Sequence, residues 1–192
     1  MKVRTLLQAT LMAAALALMT SGCGGASANP DHMKEIEGHA QMYTQRTMWG
    51  QANRITTLNF STGVRIPVNS VIFYEEINSK QISFQYNDMR YYLRNSPRHS
   101  KTTMDQMLEQ YFSKKKVDLS KFTKKERAAI KAGKVEVGMS KEAVLVARGI
   151  PPKHTTPDLK ENTWKYWKFQ HGFAQDVILY HFKKNKVASI ED

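Results

Sequence analysis

Residues 138–167 constrain the fold of this chain more strongly than any other stretch. Ser140 precedes a short run of helix-forming residues, and its hydroxyl is suited to cap the N-terminus of a helix. Gly149 stands where a left-handed residue is expected at the helix end, and Pro151 prevents the helix from continuing. A polar loop then leads to an alternating run of large aromatic residues that begins at Thr163. The stretch therefore predicts a short helix packed on a β-sheet.

The first 22 residues have the composition of a secretion signal. Lys2 and Arg4 supply a positive start, an apolar run covers residues 6–19, and small residues follow directly before Cys23. The apolar run is too short to cross a membrane as a helix. We therefore expect residues 1–22 to be a signal peptide.

Cys23 is the only cysteine in the sequence, so a disulfide within one chain is excluded. Its position resembles the cleavage box of bacterial lipoproteins, in which the signal is cut before the cysteine and the cysteine becomes the lipidated N-terminus. Acyl chains at this position would anchor the protein to a membrane. Gly24 at the next position favours the outer membrane, by resemblance to enterobacterial sorting rules. The alternative is ordinary cleavage after Ala26 or Ala28, which would leave no anchor.

The chain has a formal net charge of +12 at pH 7. In a cytosolic protein such a charge would indicate a nucleic-acid partner. An exported protein instead meets phospholipid headgroups, lipopolysaccharide and acidic protein surfaces. We therefore expect an anionic partner in the cell envelope and no nucleic acid.

Residues 54–95 alternate apolar and polar side chains with the period of two that is typical of β-strands. Four or five short strands follow one another here, separated by turn residues such as Asn78 and Asn87. Strands at this spacing, with no helix between them, predict a small antiparallel β-barrel or curled sheet, and of these we expect an SH3-like barrel. The preceding residues 23–53 are expected to form a tether and entry segment.

Residues 101–192 carry signals for three helices and then three strands. Thr102 or Thr103 can cap the first helix, and a capping box from Thr123 to Glu126 begins the second. This order predicts an α+β domain, in which short helices cover one face of a three-stranded antiparallel sheet.

The aromatic residues of the first predicted strand divide between its two faces. Trp164 and Tyr166 are in phase and are expected in the core, whereas Trp167 and Phe169 lie on the opposite face. That second face is a candidate exposed patch or a contact with the N-terminal β-rich domain.

Three motifs in order resemble the SmpA/OmlA (BamE-like) lipoprotein family over about residues 118–192. The first motif resembles the signature G-M-[ST]-x3-V-x2-A-x-G-x-P, at Gly138, Met139, Ser140, Val144, Ala147, Gly149 and Pro151. The second, N-T-W-x-Y, includes Trp164 and Tyr166, and the closing hairpin is the third. These motif residues are expected to determine the fold rather than to contact a partner.

The resemblance implies a non-enzymatic lipoprotein on the periplasmic face of the outer membrane. It would act as an accessory subunit of the machinery that assembles outer-membrane β-barrel proteins. Its implied partners are assembly proteins and anionic phospholipid, and no cofactor is implied. Two alternatives stay open: a module whose SH3-like segment binds peptidoglycan or a peptide, and a periplasmic inhibitor-like protein, because β-lactamase inhibitor proteins share the α+β arrangement.

The sequence departs from the family pattern in two places. Arg148 occupies a position that is usually apolar, which implies either that it is exposed or that the helix register is shifted. Residues 54–95 have no counterpart in the minimal family member, so they indicate a further role.

The sequence offers binding candidates but no catalytic site. The six histidines lack the spacing of metal ligands, and no nucleophile, Walker or dinucleotide motif is present. Residues 114–134 hold nine lysines and arginines against two acidic residues. They form either a solvated surface or a contact with anionic headgroups. The candidate lipid- or partner-binding residues are Lys114, Lys115, Lys116, Lys124, Lys125 and Arg148.

Overall fold

A computed structural model describes residues 40–169 and 175–192. The predicted signal peptide, Cys23 and the turn predicted near His171 lie outside the described residues. The described part of the chain is a mixed α+β protein with strands in three sheets and four helices. Within it, no helix has both the length and the apolar character needed to span a membrane.

The elements fall into two parts of the chain: a first part that consists mainly of strands, and a second part with two helices followed by three strands. The first part contains β1 (Gln41–Thr44), β2 (Met48–Gly50), β3 (Arg54–Thr56), β4 (Val64–Ile66), β5 (Val71–Ile77), β6 (Gln81–Tyr86), β7 (Met89–Arg94), α1 (Pro97–Ser100), α2 (Met104–Tyr111) and β8 (Phe112–Ser113). The second part contains α3 (Lys124–Ala132), α4 (Lys141–Arg148), β9 (Thr163–Phe169), β10 (Gln175–Lys183) and β11 (Lys186–Glu191).

The first part forms an open sheet of six strands in the order β3-β7-β6-β5-β1-β8. Neighbouring strands are antiparallel except for β3 and β7, which are parallel. Strands β2 and β4 pair separately as a two-stranded ribbon. The predicted SH3-like barrel is not found, because the strands at the two ends of the described sheet, β3 and β8, do not pair with each other. An open sheet needs another element over its apolar face, and helix α2 takes that place.

Helix α2 packs with the six-stranded sheet and not with the C-terminal domain, where the sequence analysis placed it. Its residues Met104, Met107 and Leu108 are buried in the same core as Ile82 and Phe84 of β6. The sheet also extends beyond residues 54–95 at both ends, because β1 and β8 belong to it. The segment expected to be a tether therefore ends in folded strands.

The second part confirms a three-stranded antiparallel sheet, in the order β11-β10-β9, with helices packed on it. Trp164 and Tyr166 are fully buried, as expected. They share a core with Val144 and Ala147 of α4 and with Ile130 of α3. The capped helix and the aromatic strand thus pack against each other.

One carboxylate joins the beginnings of helices α3 and α4. Glu126 accepts hydrogen bonds from the backbone N–H of Thr123 (2.9 Å), the N-cap of α3, and of Ser140 (2.8 Å), the N-cap of α4. Desolvation by itself would raise the pKa of Glu126, but hydrogen bonds from Ser140 and Thr123 outweigh it and hold the pKa at about 2. The capping box found in the sequence therefore also fixes α4.

Replacing this carboxylate should produce a pH-dependent loss of stability. Because the pKa of Glu126 is lowered from 4.5 to about 2, the ionised group stabilises the fold above pH 4.5, and this contribution is lost as the pH falls towards 2. Glu126→Gln should lower the free energy of unfolding at pH 7 by about 2–3 kcal/mol. Urea unfolding between pH 2 and 7 should show the difference from wild type shrinking in acid.

Glu142→Gln is the matched control for this measurement. Glu142 is exposed and pairs with the exposed Lys121, so its loss should cost less than about 1 kcal/mol. An equal loss of stability in the two variants, or a Glu126→Gln effect that does not change with pH, would contradict the assignment.

Candidate functional site

Lys114, Lys115 and Lys116 form an exposed lysine ridge directly after β8. The backbone of this ridge is fixed by side chains from other strands and loops. The Gln45 side-chain amide donates to the carbonyl of Lys115 (2.9 Å), and Asn69 both accepts from the N–H of Val117 (2.7 Å) and donates to its carbonyl (3.0 Å). The three lysines are therefore displayed by an ordered loop.

The lysine ridge adjoins a half-buried tyrosine on β1 and exposed apolar side chains on β5. The Lys116 ammonium lies 5.2 Å from the centroid of the Tyr43 ring, and Tyr43 lies directly opposite Val71 in the β1–β5 ladder. Val71 and Phe73 are 42% and 45% exposed, on the same face of β5. Positive charge and apolar surface thus adjoin on one side of the protein.

Lys124 and Lys125 are exposed in the first turn of α3. This position is electrostatically unfavourable, because the N-terminal end of a helix carries partial positive charge. The residues between the lysine ridge and α3 pack on the core of the second part through Val117, Leu119 and Phe122. The basic segment therefore runs from the edge of the first sheet to the surface of the second part.

Arg148 is buried, with 3% of its surface exposed, so it does not form part of this basic surface. Both implications of the sequence analysis are wrong. The residue is not exposed, and the helix is not shifted, since Ser140 caps it and Gly149 ends it at the predicted positions. The guanidinium of Arg148 can lie in the interior because oxygens of Asn59, from the first part of the chain, accept its hydrogen bonds there.

The guanidinium of Arg148 is surrounded by oxygens and aromatic rings. Its Nη1 donates to the backbone carbonyl of Asn59 (2.9 Å) and to its Oδ1 (3.0 Å), and Nη2 donates to the carbonyl of Trp167 (3.3 Å). The rings of Trp49 and Tyr166 lie 5.1 and 4.8 Å away. Burial lowers the pKa of Arg148, and none of the ion pairs among the described residues involves it.

Asn59 returns hydrogen bonds to the end of the helix. Its side-chain amide donates to the carbonyls of Arg148 and Ile150, both at 2.9 Å. These bonds and those from Arg148 to Asn59 form what we call the Arg148–Asn59 clamp. The clamp joins the loop between β3 and β4 to the C-terminus of α4. The sequence contained no signal for the role of Asn59, because Asn59 lies 89 residues from Arg148 along the chain.

The motif residues of the resemblance lie in turns and in the core. Gly138 has a φ of +93° and donates its N–H to the carbonyl of Val187 (2.8 Å). Met139 and Pro151 are buried, and the hydroxyl of Tyr166 donates to the carbonyl of Gly149 (2.8 Å). Their roles in the described structure are therefore in packing and capping.

Trp167 is half-buried and belongs to an aromatic stack that reaches the first part of the chain. Its ring stacks on His154 at 5.9 Å, and the His154 ring meets that of His99 at 4.4 Å. Desolvation lowers the pKa of His154, and the charge of the adjacent His99 lowers it further, while a hydrogen bond to the His99 backbone opposes the shift. Through His154 this strand face reaches His99 of α1, which lies just beyond residues 54–95, the domain for which a contact was predicted. The side chain of Phe169 lies outside the described residues.

Across residues 40–169 and 175–192, no group of three or more His, Cys, Asp or Glu side chains is arranged to hold a metal ion. No protein-family model matches the chain, and neither the curated proteins nor the solved structures include a match. The resemblance to the SmpA/OmlA family therefore stays a prediction from sequence motifs.

The two sides of the clamp should be strongly coupled. Arg148→Met should lower the free energy of unfolding by roughly 2–4 kcal/mol, because two buried oxygens of Asn59 lose their donor. A double-mutant cycle with Asn59→Gly, which tolerates the φ of +56° at this position, should give a coupling of about 1–3 kcal/mol. Urea unfolding measures both, and additive effects would contradict the clamp.

Two glycines of the same motif both have a positive φ, but only one of them lies close to another side chain. Gly149 has a φ of +87° with ψ of −174°, and a Cβ there would lie 2.8 Å from Nδ2 of Asn59. Gly138 has a φ of +93°, but a Cβ there would meet nothing within 4 Å. Gly149→Ala should therefore lower the free energy of unfolding, measured in urea, further than Gly138→Ala, by about 1–3 kcal/mol more. Equal shifts would contradict the close approach.

Proposed function

We propose that this protein is a non-enzymatic lipoprotein on the periplasmic face of the outer membrane, where it binds anionic phospholipid and assembly proteins. The export signal, the position of Cys23 and the SmpA/OmlA-like motifs support this compartment and class. The proposal that the protein binds phospholipid rests on one surface, where the lysine ridge adjoins Tyr43, Val71 and Phe73.

This surface has the two components that a membrane interface requires. Each lysine close to an anionic bilayer contributes about 1 kcal/mol of attraction, which salt screens. The exposed side chains of Val71 and Phe73 gain further free energy if they enter the headgroup region. Tyr43 lies between the two components, and an amphipathic ring is suited to that boundary.

The backbone of the lysine ridge is held in a single arrangement. Gln45 and Asn69 hold the backbone of the loop by hydrogen bonds. Binding therefore requires little additional ordering of the backbone, and the lysines lose mainly side-chain entropy. A lipid anchor at Cys23 would raise the effective concentration of this surface at the bilayer, so a weak contact would suffice.

Contact with assembly proteins is proposed for a different surface. Val137 is 65% exposed directly before the Gly138 motif, and Leu159 is 38% exposed in the loop before β9. Exposed apolar side chains at fixed positions on the second part are suited to a protein contact. Photo-crosslinkers at these two positions should capture β-barrel assembly proteins, and crosslinkers at Lys183 should not.

The lipid contact can be tested by liposome flotation in a Cys23→Ala background, which removes the anchor. Wild-type binding should rise with the fraction of anionic lipid and fall towards about 0.5 M salt. Lys114, Lys115, Lys116→Ala should weaken binding by roughly 10- to 100-fold. Phe73→Ala should weaken it with little change in the salt dependence.

A matched triple variant separates this surface from net charge. Lys183, Lys184 and Lys186 are all exposed in the second part, at the β10–β11 turn, and their replacement by alanine removes the same charge. This control should bind nearly as well as wild type. Equal binding to neutral liposomes, or an equal loss in both triple variants, would contradict the proposed surface.

A further inference from the structure

A second surface with chemistry of its own lies at the other end of the six-stranded sheet. Strand alternation places Tyr92 and Arg94 of β7 on the solvent face, away from the buried Tyr91 and Leu93. On the neighbouring parallel strand, Arg54 is the register partner of Tyr92. Arg54 and Arg94 are therefore diagonal neighbours on one exposed face.

Two adjoining concavities include these arginines. One, of about 420 Å³, is lined by Arg54, Gln81, Tyr92 and Arg94. The other, of about 360 Å³, is lined by residues that include Trp49, Gln51, Phe60 and Thr62, and it shares Arg54 with the first. Because Arg54 lines both concavities, we refer to the two together as the groove.

The groove is positively charged where the structure describes it. No Asp or Glu of residues 40–169 or 175–192 lines either concavity. Arg54 and Arg94 are exposed, and within the described part of the chain neither forms an ion pair. By contrast, Arg90 on the same face of β7 pairs with Glu75 at 2.6 Å. Two neighbouring guanidinium groups without a carboxylate are suited to hold an external anion.

The rest of the groove is suited to a ligand with many hydroxyl groups. Trp49 and Phe60 provide apolar surface, and the Trp49 ring is held from within by the guanidinium of Arg148 at 5.1 Å. The amides of Gln51 and Gln81 can each donate and accept hydrogen bonds. Aromatic surface, amide groups and two neighbouring arginines together are suited to bind a saccharide that carries acidic groups.

We propose that this groove binds an anionic saccharide, a chain of hydroxyl-rich rings that carries carboxylate or phosphate groups. Arg54 and Arg94 hold the anionic group, Tyr92 and Trp49 pack against ring faces, and Gln81 bonds to hydroxyls. The site does not depend on the lipid surface proposed above, because β3 and β8 are opposite edges of the sheet. Each proposal can therefore fail without the other.

Binding to the purified full chain can be measured by calorimetry with three trisaccharides: a triuronate, a phosphorylated trisaccharide and a neutral one. The triuronate or the phosphorylated ligand should bind at least tenfold more tightly than the neutral ligand, and the tighter of the two identifies the anionic group. Arg54→Gln with Arg94→Gln should weaken binding by roughly tenfold or more. The indole N–H signal of Trp49 should shift on titration in NMR spectra of the wild type.

Lys183→Gln with Lys184→Gln is the control, because it removes the same charge from the exposed β10–β11 turn. It should leave saccharide binding unchanged. Equal affinity for neutral and anionic ligands, an equal loss in the control, or no saturable binding at millimolar ligand would overturn the proposal. Tighter binding of a single-stranded oligonucleotide than of any trisaccharide would also overturn it, since paired arginines and aromatic rings can bind bases as well.

Discussion

The structure depends on a buried cation that is satisfied without a carboxylate. An unpaired guanidinium in the interior costs several kcal/mol unless its donors find acceptors. Arg148 finds them in two oxygens of Asn59 and in the carbonyl of Trp167, and it packs on the rings of Trp49 and Tyr166. Because these partners come from both parts of the chain, satisfying one side chain fixes how the β2–β4 segment lies on helix α4.

One of the two proposed binding surfaces adjoins this arrangement directly, and the other lies where the two parts of the chain join. Trp49, whose ring packs on Arg148, also lines the groove proposed for an anionic saccharide. The lysine ridge lies where the chain leaves the first sheet, and Val117 then enters the second core.

The local features of this fold could be predicted because their signals lie within a few residues of each other. Thr123 and Glu126 form the expected capping box, Gly133 ends α3 with a positive φ, and Ser140 caps α4. Gly149 ends α4 with a positive φ, but its ψ of −174° differs from the left-handed helical value that the sequence indicated. At this point the chain passes so close to Asn59 that a Cβ on Gly149 would lie 2.8 Å from its Nδ2.

The amino-acid sequence by itself determined the main helices, their caps, the alternating strands and the burial of Trp164 and Tyr166. Only the tertiary structure decided that α2 covers the first sheet, that this sheet stays open, and that Arg148 lies inside. From sequence alone, a charged residue on a helix is expected to be exposed unless a buried partner is known. The partner of Arg148 is Asn59, which lies 89 residues away along the chain. Local propensities act over one or two turns, whereas the free energy that buries a cation comes from contacts that exist only after the chain has folded.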